Sequence, residues 1–162
     1  MDTAALIRDR FTEEEWAKLS TAPLLMATLI MQAGGTGGLG AVKELLDFVR
    51  YLDEAATVAT SGFLCDAILA DQRSALRDMR SGARKVVLAH EGDRFAEVND
   101  VLDILAAKCD LNESLQVRTM LFHIANRVAE SAREGGFLGF GGVKVSDAEK
   151  AVLTRLRVMM NL

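Results

Sequence analysis

Four residues of this 162-residue chain carry the side chains that most often hold metals or attack substrates: His90, His123, Cys65 and Cys109. They stand singly. Structural zinc sites draw their ligands from closely spaced pairs, so a site here would need four scattered residues to converge. The sequence has no His-x-x-x-His and no Glu-x-x-His, which removes a di-iron carboxylate bundle of the ferritin kind. A nucleophilic serine or cysteine needs a base beside it. There is no G-x-S-x-G, and neither cysteine has an activating neighbourhood. His123 borders an apolar helical stripe, where an isolated histidine reads as a core or boundary residue. The isolated cysteines read as buried, reduced thiols rather than a disulfide framework.

Three adjacent carboxylates, Glu13-Glu14-Glu15, suggest metal or acid/base chemistry, but their position gives a simpler account. Thr12 followed by Glu15 three residues later is a capping box: the hydroxyl accepts from the Glu15 amide, and the carboxylate reaches back to the Thr12 amide. The glutamates then occupy a first helical turn, where the helix dipole favours negative charge. Asp66, Asp71, Asp100 and Asp103 occur at the density expected of exposed helix faces. No catalytic residue and no metal ligand is assigned, and no cofactor is expected. Gly35, Gly37 and Gly40 spell G-x-G-x-x-G, but a dinucleotide fingerprint needs a preceding strand, and the segment before Gly34 looks helical. A helix C-cap glycine followed by a permissive turn is the better reading.

The elements that would position these residues are all helical. Phe11 and Trp16 form a hydrophobic staple around the Thr12 cap. Pro23, the only proline, predicts an end or kink of the first helix near residues 20–22, with a short buried helix over 24–33. Over 41–60, Val42, Leu45, Leu46, Val49 and Leu52 share one face, leaving Lys43, Glu44, Asp47, Arg50 and Asp53 for water. Residues 63–80 continue with an inner face of Phe63, Leu64, Ala67, Ile68, Ala75, Leu76 and Met79; residues 84–90 suit a further short helix. Phe95, Val98, Leu102, Leu105 and Cys109 make a seam two heptads long over 94–108. Asp110 with Glu113 caps a long helix running to 134, its stripe formed by Leu115, Met120, Leu121, Ile124 and Val128, with Gly135 as its C-cap. Ser146 with Glu149 starts the last helix, whose inner face is Ala148, Val152, Leu156 and Met159. Val143-Lys144-Val145 alternates but is too short to form a sheet alone.

Between the last two helices lies Gly135-Gly136-Phe137-Leu138-Gly139-Phe140-Gly141-Gly142-Val143. A flexible linker would mix glycine with serine and charge, whereas large apolar side chains on a glycine scaffold predict a loop folded back on a surface. Phe137, Leu138, Phe140 and Val143 are the expected interaction residues, with Gly135, Gly136, Gly139, Gly141 and Gly142 as the loop backbone.

Half the residues are hydrophobic against 26% charged, which excludes disorder. A mean hydropathy of +0.16 is high for a helical domain and predicts exposed apolar surface, self-association or an apolar ligand. With 19 basic and 23 acidic residues, and Arg73, Arg77, Arg80, Arg84 and Lys85 interrupted by Asp71 and Asp78, nucleic acid is not an expected partner. The longest apolar run, 22–31, is far short of the ~20 residues of a membrane span, and the first residues lack a signal peptide's basic and apolar regions. A cytoplasmic protein is expected.

Two segments also resemble a known group. Phe11-Thr12 followed by Glu14-Glu15-Trp16, together with Gly135 to Lys150 at the last helix start, is similar to small bacterial helical proteins and loosely to TerB-like domains linked with tellurite resistance and envelope stress. Ser146-Asp147-Ala148-Glu149 looks like the S-x-x-E helix start of TerB-like repeats. The resemblance implies an all-helical fold and a stress-related role. TerB-like turns place aspartate beside glycine to bind a cation; here the glycines neighbour Phe137, Phe140 and Val143, so no cation ligand is carried over.

The sequence therefore predicts an all-α single domain over residues 1–162, a compact bundle of about six or seven helices with two glycine-rich loops. The similar placement of those loops hints at two pseudo-repeated halves. The leading functional reading is a non-catalytic interaction or adaptor protein, a homodimer or the partner of another protein. The alternatives are a helical carrier or sensor of a small apolar ligand, and an enzyme of a class its motifs do not reveal.

Overall fold

The computed structural model describes residues 3–35, 48, 50, 52, 62–78, 92–131 and 145–162. Among them six α-helices and no strand are found: α1 (Thr3–Arg8), α2 (Glu13–Ala33), α3 (Phe63–Asp78), α4 (Arg94–Lys108), α5 (Leu111–Ser131) and α6 (Asp147–Met159). The protein is all-α. The glycine loop over 135–143, with Phe137, Leu138, Phe140 and Val143, lies outside the described residues, as do the helix expected at 84–90, His90 and most of the 41–60 segment. Of that segment, Phe48 and Leu52 are buried and Arg50 is exposed. The comparison of two pseudo-repeated halves also rests on loop residues outside this set.

The helix starts follow from local chemistry. Thr12 Oγ1 accepts from the Glu15 amide at 3.2 Å, while Glu15 Oε2 accepts from the Thr12 amide at 2.8 Å. Ser146 and Glu149 repeat the arrangement at 3.2 and 2.7 Å. Asp110 Oδ1 accepts from the Glu113 amide at 2.8 Å. A fourth cap, Asp93, accepts from the amides of Phe95 and Ala96 and starts α4. Each side chain satisfies amides that have no intrahelical partner. Changing Thr12, Asp93, Asp110 or Ser146 to alanine is therefore expected to cost about 1 kcal/mol in a urea melt with the fold retained.

Helix α2 is the axis of the molecule and touches α3, α4, α5 and α6. It continues through Pro23 as one helix, so the first helix does not end near residues 20–22 and no separate helix begins at residue 24. An internal proline costs about 3 kcal/mol or more. Beyond it, Leu25, Met26, Ala27, Leu29, Ile30 and Met31 are all buried, and each large side chain contributes roughly 1.5–3 kcal/mol. Burial on nearly every side of the second half outweighs the lost hydrogen bond. The Thr21 hydroxyl donates to the Ala17 carbonyl at 2.7 Å and Ser20 to the same carbonyl at 3.2 Å, tightening the turn before the proline.

Side-chain contacts set the directions of the other helices. Thr28, Lys18 and Glu15 of α2 meet Arg94, Asp100 and Lys108 in turn, so α4 runs antiparallel to α2. The starts of α2 and α5 lie together through Arg10 and Glu113. At the far end of α2, Glu149 of α6 comes so close that a Cβ on Gly34 would lie 3.0 Å from its Oε1, while the other end of α6 is held by Arg118, which donates to the Met160 carbonyl at 2.7 Å. Helix α6 thus runs opposite to α2 and α5. Gly34 caps α2 with right-handed φ, and Gly35 takes the left-handed turn at φ 64°. The segment before this glycine cluster is helical, which denies it the strand that a dinucleotide fingerprint requires.

Several faces are rotated from the expected ones. The buried residues of α4 are Arg94, Val98, Val101 and Leu105, with Phe95 and Leu102 half-buried. The Arg155 guanidinium stacks on the Phe95 ring with 3.6 Å between its carbon and the ring centroid, so this ring packs at the edge of the core under α6. In α5 the stripe is Val117, Leu121, Ile124, Ala125, Val128 and Ala129, and Leu115 is exposed. Phe63 of α3 is also exposed, while Leu64, Ala67, Ile68 and Leu76 are buried as expected. In α6 the buried positions are Glu149 and Leu156; Val152 and Met159 are half-buried and Ala148 is exposed.

Candidate functional site

Among the described residues, those that sequence reasoning tested for chemistry form no group of three or more that could hold a metal ion. Cys65 is buried, Cys109 half-buried, and both are free thiols. Burial pushes the Cys65 thiol up to about 12 and the Cys109 thiol up to about 11, which disfavours the nucleophilic thiolate. His123 is exposed on α5 and not a core residue.

Among the described residues a charge network joins the starts of α2 and α5 to the end of α4. Arg10 forms a two-pronged pair with Glu113, Nη1 to Oε1 and Nη2 to Oε2, each at 2.8 Å, and Nη2 also donates to the Lys108 carbonyl at 3.0 Å. Lys108 Nζ lies 3.4 Å from Glu15 Oε2. Lys18 pairs with Asp100 at 3.0 Å and Glu14 at 3.3 Å. An open cleft of about 300 Å³ lies here, lined by Thr12, Glu14, Glu15, Lys18, Asp100, Asp103 and Ile104. The Arg10 hydrogen bond holds the Glu113 carboxyl below its ordinary range, and the same bond raises Arg10. The Thr12 amide likewise lowers Glu15. These ion pairs join helix ends.

The lowered Glu113 carboxyl has a consequence for stability. A carboxyl depressed by folding stabilises the protein above its unfolded pKa, near 4.5, and that contribution is lost as pH falls through the folded value. Urea midpoints should therefore drop below pH about 4.5, and Glu113→Gln should lower the midpoint at pH 7 while flattening the acid drop. An unchanged acid limb in the variant would remove Glu113 from the account.

A different feature stands out on the surface. Among the described residues five large apolar side chains are exposed, and four lie at the end of the bundle where α3 and α5 begin and α6 finishes: Phe63 at 74%, Leu111 at 88%, Leu115 at 45% and Val158 at 75% of their full exposure. Leu111 and Leu115 form one i, i+4 row on α5. At about 100° per residue, Gln116 projects to one side of this row and Arg118 to the other. A Cβ on Gly62, whose φ is 85°, would run into the Gln116 side-chain carbonyl, which sets the first turn of α3 and Phe63 on that flank. Arg118 reaches the Met160 carbonyl, which sets the last turn of α6, with Val158, on the other. The sequence did carry a signal for this ridge: Leu111 and Leu115 are a second apolar row, off the stripe through Val117, Leu121, Ile124 and Val128.

No described helix is long and apolar enough to cross a membrane. Comparison with protein-family models, with curated proteins and with solved structures finds no match.

Proposed function

We propose that the protein is a non-catalytic interaction or adaptor protein that associates through exposed apolar helix faces. The observation that carries this reading is the group of solvent-facing Phe63, Leu111, Leu115 and Val158 at one end of the bundle. Isolated exposed apolar side chains are ordinary, but several on adjoining elements mark a surface that gains by being covered. Ion pairing of Glu14, Glu15, Asp100 and Glu113 supports a binding rather than a catalytic role. Two free thiols suit a reducing cytoplasm, and the resemblance of the chain ends to TerB-like domains adds a stress-related setting to the proposal.

A photo-crosslinking residue placed at Leu111, compared with one at the exposed Arg127 of α5, tests the reading in cells producing the protein. A discrete adduct from position 111, absent from position 127, is expected. Equal labelling from both positions, or none from either, would overturn the interaction role.

A further inference from the structure

We infer that the apolar ridge binds a second copy of this chain, in a two-fold pair whose α5 helices lie side by side and parallel. The inference rests on the interaction reading above and names its partner. Charge on the two flanks carries the choice. On the α3 flank, exposed Asp66 stands one turn beyond Phe63. On the α6 flank, exposed Arg157 adjoins Val158, and its Nε donates to the Leu162 carbonyl at 3.1 Å, which holds the guanidinium at the end of the helix.

A two-fold axis running along the Leu111–Leu115 row exchanges the flanks. The α3 side of each copy then faces the α6 side of the other, Asp66 meets Arg157 twice, and Phe63 meets Val158 twice. An axis across the row would instead set Asp66 against Asp66 and Arg157 against Arg157, so like-charge repulsion selects the first arrangement. The row itself closes on its own counterpart, Leu111 on Leu111 and Leu115 on Leu115, as two-fold contacts on an axis must. Four large side chains per copy make a small interface, so a reversible, micromolar dimer is expected rather than an obligate one.

Sedimentation velocity from roughly 1 to 300 µM tests the inference on the full chain. The wild type should shift from monomer to dimer across this range. Leu111→Ser with Leu115→Ser should weaken the dimer by about tenfold or more, as should Val158→Asp alone; all are surface changes, and circular dichroism melts would verify that the fold is retained. Asp66→Lys and Arg157→Glu should each weaken association, and the two reversals together should restore it. A wild type that stays monomeric at the highest concentration overturns the self-partner. A dimer indifferent to the leucine change, or reversals that fail to compensate, overturns this geometry. A monomer that still gives the position-111 adduct, at a mass other than twice that of the chain, would leave the interaction role standing and remove only the second copy as its partner.

Discussion

Trp16→Ala is expected to cost about 3–5 kcal/mol, the largest loss from any single change considered. Trp16 is buried in the first full turn of the central helix, with the Phe11 ring 5.8 Å away between centroids and the Arg8 guanidinium 6.0 Å from its own. Its Nε1 donates to Asp71 Oδ2 at 2.6 Å, tying α2 to the middle of α3. Truncation removes the largest side chain of this corner, leaves a cavity, and takes the donor from Asp71. A chemical melt followed by circular dichroism measures the loss, and a cost under 1 kcal/mol would show that the corner is loosely packed. Trp16→Phe separates the terms: it keeps most of the ring and removes only the donor, so roughly 1–2 kcal/mol is expected.

This corner also explains which parts of the fold were legible. A staple of Phe11 and Trp16 around Thr12 involves residues five apart, and the capping boxes involve residues three apart, so sequence spacing contains the whole interaction. The tie from Trp16 to Asp71 spans 55 positions and could not be read, because it depends on where α3 crosses α2. Pro23 failed as a stop signal for the same reason: its local penalty is fixed by the residue type, but the burial of Leu25 to Met31 that opposes it belongs to the assembled bundle. Helix α1 went unread. Six residues are too short for periodicity to speak, and its order comes from packing on α3.

The candidate site was less legible than the fold. Leu115 and Phe63 count among the inner-face apolar residues expected of their helices, although Leu115 lies about nine residues, or half a turn out of phase, from Ile124. Both are exposed, and α6 finishes beside Arg118, near the first turns of α5. Where a neighbouring helix stops is not written in the face it would have covered. Excess hydrophobicity in the composition did point to exposed apolar surface, but not to its position.

Arg94→Ala should be the second large loss, about 2–4 kcal/mol, whereas Arg94→Met should cost about 1 kcal/mol or less. Arg94 opens α4 but lies buried, with Nη1 donating to the Thr28 hydroxyl of α2 at 2.8 Å. Burial lowers its pKa, and the nearby Glu97 carboxylate opposes that shift. A seam drawn through Phe95 and Leu102 missed it, because a pattern of apolar residues does not count the arginine stem as packing material. Alanine removes that stem and its charged hydrogen bond together. Methionine keeps the stem's bulk, and the Thr28 hydroxyl keeps its own donation to the Leu25 carbonyl at 3.0 Å, so no donor is stranded there. Urea melts of the two variants decide between packing and charge. A methionine variant as unstable as the alanine one would assign the loss to the guanidinium's bonds, and two variants matching wild type would mean that Arg94 does not anchor α4 to the second half of α2.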